Sequence, residues 1–514
     1  MSEIKVSKIY RDVSRLRWNV ASKGILVGLF AGFVVAVYRL GIEFATEKSI
    51  EIYTLLRNNP IYIFAWLIII VLVGLLLSYL IKLSPDAKGS GIPQVEGVLL
   101  YGRKLKSLLI IPVRFIAGIL SAFFGVSLGR EGPSIQIGAS GGEIIASKLS
   151  NNKLEENYLI TAGASAGLSA AFNAPLSGII FSLEEVHRSF SPNILIAATT
   201  AALTADIVSK TIFGLKPVLS YVDVPQLPLN QYFWLVILGV LSGVVGVIIN
   251  KMLLVSGNFY SKLPIIVRPM MALLIALPFG LFLPQVLGGG QGLVQLSETA
   301  KLSIGMLFVV LICKMIFTTT SFGSGIPGGI FMPILSMGAL LGSLVAQVGF
   351  NFGLSSDMIS VFCICSMAGI MAGSVKAPIT SILLMAEMTG SLVHLLPVAA
   401  VAFIALLTSD LLKANPIYEV LLERLTEENQ GKEKSKSNVI IEMVVELGSF
   451  VAGKQVKDVQ WPSGLLIVGI RRGNKEFVPN GDFQILHGDY LVAIASQQEF
   501  ETMNVALNKI CKMK

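Results

Sequence analysis

The chain has 514 residues, of which 54% are hydrophobic and only 14% charged, with a formal net charge of +8. Its mean hydropathy of +0.74 excludes a soluble globular chain and predicts a polytopic helical membrane protein. The four cysteines (Cys313, Cys363, Cys365, Cys511) and three histidines (His187, His394, His487) have spacings that suggest neither a disulfide framework nor a zinc site, so no metal is expected.

The excess charge gathers at the start. Residues 1–24 hold Lys5, Lys8, Arg11, Arg15, Arg17 and Lys23 against Glu3 and Asp12, which by the positive-inside rule predicts a cytoplasmic N-terminus. Ile9, Val13 and Leu16 fall at helical spacing among these charges, as in a helix lying on lipid. Because this charge flanks a hydrophobic span, nucleic acid is not an expected partner. Apolar windows of spanning length follow at 25–44, 62–81, 194–212, 232–250, 270–287 and 392–412. The first is too long for the core of a secretory signal.

Gly89-Ser90-Gly91-Ile92-Pro93 breaks the helical pattern after the second window. Pro93 suits the first turn of a new helix, which leaves Ser90 near a helix start, either as a plain N-cap or as a hydroxyl donor to an anion. Gly129-Arg130-Glu131-Gly132-Pro133 then separates two apolar runs. A carboxylate at membrane depth costs roughly 2.5–3.5 kcal/mol or more and marks an ion or proton pathway. A helix opening there would aim free N–H groups and its positive end at whatever lies in front. Two readings of Glu131 compete: a built-in anion at an anion site, or an ion pair with adjacent Arg130.

Small residues recur every three or four positions in the stretch from Thr161 to Pro175, predicting close helix packing. The short apolar run 176–183 then ends in Glu184-Glu185-Val186-His187-Arg188. The first half recurs in the second. Gly129, Pro133, Gly138 and Ala139 coincide with Gly329, Pro333, Gly338 and Ala339, and Ala174-Pro175 through Glu184 with Ala377-Pro378 through Glu387. The membrane part is therefore a duplicated fold, and inverted repeats would let its Gly/Pro-interrupted helices converge on one midplane site. The alignment sets Glu131 opposite Phe331, Glu184 opposite Glu387, and Glu185 opposite Met388. Arg114, Lys314 and Arg268 are isolated cations in apolar context, expected to give general attraction for anions.

From 423 to 438 the chain is polar, a linker in composition. Beyond it 439–445, 465–471 and 490–496 read as strands, with a final helix over 497–510. The fold class expected is an all-α polytopic membrane protein with an internal, inverted repeat and broken helices, plus a small cytoplasmic α+β domain. Its parts are a basic N-terminal helix (1–24), a transmembrane domain (25–422, repeats about 25–215 and 230–422), a linker (423–438) and a tail domain (439–514).

These motifs, with Gly329-Ile330-Phe331-Met332-Pro333 and Asn415-Pro416-Ile417-Tyr418, resemble the CLC family of chloride channels and chloride/proton antiporters, over roughly residues 20–425. The resemblance implies that the Ser90 and Tyr418 hydroxyls and the backbone amides of Ile330 and Phe331 coordinate chloride. It implies that Glu131 is the gating glutamate, and that Glu185 is the inner proton-transfer glutamate found in antiporters. Ser90 and Glu131 keep the chloride-type pattern rather than one for fluoride or nitrate. The tail, Ile467-Val468-Gly469-Ile470-Arg471-Arg472-Gly473 through Val478-Pro479 to His487-Gly488-Asp489-Tyr490, resembles the RCK C-terminal (TrkA-C) domain rather than paired CBS domains. That implies a dimerising, ligand-sensing module, with a nucleotide-type small molecule as one candidate regulator.

The reading is proton-coupled chloride transport by a homodimer in the plasma membrane, both termini cytoplasmic, with lipid as its surroundings and no cofactor. A gated chloride channel without proton coupling is the alternative, and Glu185 separates the two. A cation uptake protein is disfavoured because no Thr-Val-Gly-Tyr-Gly filter occurs. An enzyme is disfavoured because no Ser/His or His/Glu catalytic spacing lies on the spans, so no catalytic residue is assigned.

Overall fold

The computed structural model describes residues 2–150, 152–215, 217–219, 224–299, 301–430, 438–446, 448–472, 475–496 and 500–511. It divides into two compact units, Met1–Leu425 and Thr426–Lys514.

The first unit opens with α1 (Ser2–Asn58), one unbroken helix of 57 residues. The basic segment and the first span are therefore a single element; the side chains before Trp18, including the expected Ile9–Val13–Leu16 face, lie outside those described. The helices α2 (Tyr62–Leu83), α3 (Ile92–Tyr101), α4 (Ser107–Phe123), α5 (Glu131–Leu149), α6 (Lys153–Phe172), α7 (Pro175–Phe181) and α8 (Pro192–Phe213) complete the first repeat. In the same order come α9 (Phe233–Ser261), α10 (Val267–Phe282), α11 (Gln291–Glu298), α12 (Ile304–Gly323), α13 (Phe331–Phe350), α14 (Ile359–Val375), α15 (Pro378–Thr389) and α16 (Leu395–Leu411). A last helix, α17 (Ile417–Gln430), follows.

Among the described residues, seven helices are long and apolar enough to cross a membrane: α1, α2, α8, α9, α12, α13 and Ser356–Val375, which contains α14. The last three were not among the apolar windows of the sequence. Conversely, the window 270–287 yields only the 16-residue α10. Pro284 disfavours helix at the preceding residue, and Leu283 leaves the helix with φ −138°.

Small residues make the tight seams. A side chain at Gly28 or Gly32 would strike the α8 backbone at Ala201 or Ala205, and Gly243 of α9 stands likewise against Ala405 of α16. Gly163 of α6 lies against the carbonyl of Gly138 on α5, as the run of small residues predicts.

The repeats meet about a local two-fold axis. The Gly129 N–H donates to the Gly329 carbonyl, and the Gly329 N–H to the Gly129 carbonyl, both at 2.7 Å. Gly89 N–H to Gly325 carbonyl and Gly288 N–H to Gly125 carbonyl, each 3.2 Å, repeat the exchange one layer out. The residues aligned by duplication thus face each other, and α5 and α13 both start at this point.

The second unit holds β1 (Asn438–Val444), β2 (Leu465–Arg472), β3 (Lys475–Phe477), β4 (Tyr490–Ser496) and α18 (Phe500–Cys511). The sheet is antiparallel in the order β1-β4-β2-β3. Its core includes Ile441, Ile470, Leu491, Leu507 and Cys511. The three expected strands are present; β3, only three residues long, is too short to carry an alternation signal. The charged stretch from Glu423 begins inside α17, and 431–437 lie outside the described residues.

Candidate anion site and its carboxylates

Ser90 sits in the turn before α3. Gly91 caps that helix at φ +97°, a conformation that suits glycine, and Pro93 lies in its first turn. Arg114, fully buried on α4, donates to the carbonyls of Gly89 (2.9 Å), Ser90 (3.1 Å) and Lys88 (3.4 Å), and to the Gln136 side chain. The Gln136 amide in turn donates to the Asp86 carbonyl at 2.9 Å. The Ser90 backbone is thereby fixed from behind, while its buried hydroxyl has no hydrogen-bond partner among the described residues.

Tyr418, in the first turn of α17, is completely buried, and its hydroxyl makes no full hydrogen bond among the described residues. It lies within interaction range of Ser90 and of the carboxyls of Glu185, Glu96 and Glu131. Ile330 and Phe331, both buried, form the start of α13, where N–H groups have no carbonyl one turn back. The Phe331 ring stands between Phe172 (centroids 5.9 Å) and Phe181 (5.6 Å). Hydroxyl donors and helix-start amides suit a dehydrated monovalent anion, which a full positive charge would trap.

Glu131 opens α5 and is 2% exposed. Its Oε2 accepts from the Met332 N–H at 3.4 Å, so the carboxylate sits at the start of α13. A Cβ at Gly129 would run into that oxygen, so a side chain here would have to displace the carboxylate. Adjacent Arg130 makes no ion pair with Glu131. Its Nη1 donates instead to Glu43 of α1 at 2.7 Å, and Glu43 also accepts from Arg39 at 3.0 Å. Arg39 donates to Asn173 at 2.9 Å and stacks over Phe213. A cavity of about 530 Å³ lined by Glu43, Arg130, Glu131, Phe172 and Met332 opens in front of the carboxylate. Neither Arg39 nor Glu43 was singled out by the sequence, where a pair one helical turn apart resembles any surface ion pair.

The Glu184–Glu185 doublet is split by a π-helical turn, Ser182–Val186. Glu184 accepts from the N–H groups of Ile379 (3.2 Å) and Thr380 (2.8 Å) and from the Thr380 hydroxyl (2.7 Å). Glu185 turns inward, 5% exposed, with Oε1 unpartnered. Arg188 pairs with Glu419 at 3.3 Å and donates to the Glu185 carbonyl, also at 3.3 Å. The doublet is therefore one capping carboxylate and one buried carboxyl, not a solvated charge cluster.

The structure brings Ser90, Tyr418, Glu131, Ile330 and Phe331 to one place, with Glu185 on the π-helical turn that packs against α3. It also adds Glu96 of α3, fully buried with neither oxygen partnered. Glu96 stands alone among apolar neighbours, the same signal that marks Glu131. Arg114 and Lys314 correct the expectation of diffuse anion attraction, because both are buried and bonded to carbonyls. Lys314 Nζ holds those of Val286 and Gly288, each at 2.8 Å. Arg268 likewise donates to the carbonyls of Leu263 and Ser261.

Comparison with known proteins agrees with this architecture. The family model for voltage gated chloride channels matches residues 73–410, and that for the TrkA-C domain matches 440–507. The H(+)/Cl(−) exchange transporter ClcA of Vibrio parahaemolyticus is 34% identical over 432 residues, 79% of this chain and 90% of the relative. ClcA of Salmonella gallinarum is 30% identical over 432 residues, 80% of this chain and 90% of the relative. The crystal structure of a slow cyanobacterial Cl−/H+ antiporter superposes with a TM-score of 0.75 at 29% identity, covering 81% of this chain and 99% of that one. A CLC-type fluoride/proton antiporter shares the fold at 22% identity and TM-score 0.63, covering 76% of this chain and 94% of the other. With two-thirds of its length matched by the family model and the broken helices meeting at Gly129 and Gly329, the chain belongs to the voltage gated chloride channel (CLC) family and carries a C-terminal TrkA-C domain.

Proposed function

We propose that this protein exchanges protons for chloride across the membrane. The observation that carries the reading is the Glu131 carboxylate on the Met332 N–H at the start of α13. A helix start favours an anion. The ionised side chain takes that position and excludes chloride; protonated, it loses the attraction and chloride replaces it. One group is thus a competitor of chloride in one state and a proton carrier in the other. Ser90 and Tyr418, with the Ile330 and Phe331 amides, form the central chloride station. Glu185 passes protons from the inner side. The activity named for the relatives of similar length supports the exchange reading over that of a channel without proton coupling.

The protein acts as a homodimer in the plasma membrane with both termini cytoplasmic, a placement supported by the basic residues ahead of the first span. The TrkA-C domain binds a small-molecule regulator. The decisive experiment imposes a chloride gradient on sealed liposomes holding the purified protein and records external pH. Uphill proton movement is expected, and chloride flux with no proton movement would leave a channel.

A further inference from the structure

Glu96 has no place in the exchange scheme above, yet its surroundings are specific. It lies one helical turn beyond Pro93 on α3, the same short helix that begins next to Ser90. The carboxyl is fully buried, and neither Oε1 nor Oε2 has a donor among the described residues. Carrying an ionised carboxylate into such a place costs several kcal/mol unless donors or a cation compensate. The π-helical turn that carries Glu185 packs against α3, and the charges that act on Glu96 are those of Glu185 and Arg188, from that turn and the residues after it, and of Glu419 on α17. The helices α5 and α6 also pack against α3 but bring no charge into this set. Arg188 is already engaged by Glu419. The second carboxyl, Glu185, has an unpartnered oxygen of its own, and the Tyr418 hydroxyl is within range of both and of Glu131.

Two buried carboxyls on packed elements, both without donors, do not both ionise; one proton between them removes a charge and supplies the missing hydrogen bond. We propose that Glu96 and Glu185 form a two-carboxyl proton station, holding one proton between them, and that Glu96 is a further proton-transfer residue of the exchanger. When Glu185 carries the proton, its O–H bond breaks as a new one forms to a Glu96 oxygen. Glu185, now anionic, then takes the next proton from water on the inner side. The pair thus alternates between one and two bound protons, the net charge changing by one, and returns to one when a proton leaves Glu96 for the ionised Glu131 carboxylate. Because Glu96 and Ser90 are joined by one rigid turn, the proton store and the chloride ligand stay at a fixed separation.

The inference rests on the exchange reading, and one experiment separates the two. Full-length protein in liposomes is assayed for chloride and proton flux together, as wild type, Glu96→Gln and Glu96→Asp. No proton movement by wild type overturns the exchange reading itself. With wild type coupled, Glu96→Gln is expected to lower the protons moved per chloride at least about tenfold, a typical contribution for a positioned proton-transfer group. Chloride flux is expected to remain measurable, and Glu96→Asp to restore coupling with a displaced pH profile. Coupling and pH profile like wild type in Glu96→Gln would overturn the station. Should Glu96→Gln not fold, infrared spectroscopy in a Glu131→Gln background decides. The protonated-carboxyl band is expected to shift when Glu185→Gln is added, and an unshifted band means that Glu96 and Glu185 share no proton.

Discussion

Glu184 and Glu387 cap each other's repeats. Glu184 accepts from the amides that open α15, Ile379 and Thr380. Glu387 accepts from those that open α7, Leu176 (3.0 Å) and Ser177 (2.7 Å), and from the Ser177 hydroxyl (2.6 Å). Each carboxylate meets the positive end of a helix belonging to the other half, the favourable geometry for both partners. Glu185, next in sequence to Glu184, faces the other way and has no such partner.

Adjacent residues should therefore give opposite phenotypes. Glu184→Ala is expected to destabilise the protein by about 1–2 kcal/mol, seen as a lowered melting temperature in detergent, with proton coupling kept. Glu387→Ala should behave in the same way. Glu185→Gln should leave the melting temperature near wild type and reduce proton flux. A coupling defect in Glu184→Ala at normal stability would contradict this division.

Glu131→Gln removes the charge while keeping the side-chain size. Proton flux should fall at least about tenfold while chloride flux persists, because a neutral side chain no longer competes at the start of α13. Paired flux measurements in liposomes check this, and unchanged coupling would remove Glu131 from the gate.

Arg114 and Lys314 occupy equivalent places in the two repeats, but only Arg114 lies behind the Ser90 hydroxyl. Arg114→Lys forfeits part of its grip on the Gly89 and Ser90 carbonyls, where each lost bond costs about 1–3 kcal/mol. Chloride affinity measured by titration calorimetry should fall roughly fivefold or more. Lys314→Arg, holding the carbonyls of Val286 and Gly288, should alter stability with little effect on chloride affinity.

In the tail, Asp489 is fully buried and accepts from Arg472 through Nε (2.7 Å) and Nη2 (2.8 Å) and from the Leu486 N–H (2.8 Å). Asp489→Ala would leave the guanidinium without its partner in a turn built around that carboxylate. A loss of roughly 2–4 kcal/mol is expected, read as faster hydrogen exchange in β2 and β4 of the full-length protein.

Cys511 reports on the same domain. Burial pushes its thiol up to about 11, so at pH 8 only about one part in a thousand is thiolate. Alkylation of Cys511 should be slow near neutral pH, speed up as pH rises toward 11, and become fast in Asp489→Ala. Mass spectrometry of the labelled C-terminal peptide measures all three.

The amino-acid sequence by itself determined the membrane class, the duplication, the broken helices at Ser90, Glu131 and Phe331, and three of the four tail strands. Each follows from hydropathy, Gly/Pro placement or alternation within a short window, where local physics dominates. The tertiary structure decided which carboxylate meets which donor. Glu131 is freed from Arg130 because Glu43, far back on α1, takes the guanidinium; Glu184 is bound because α15 begins opposite it; Glu96 and Glu185 are left buried on packed elements, with carboxyl oxygens that meet no donor among the described residues. The cations at 114 and 314 read as loose charge along the chain and turn out to pin carbonyls once the loops fold over them. A carboxylate's role depends on the dielectric and donors around it, and those are supplied by residues up to about two hundred positions away.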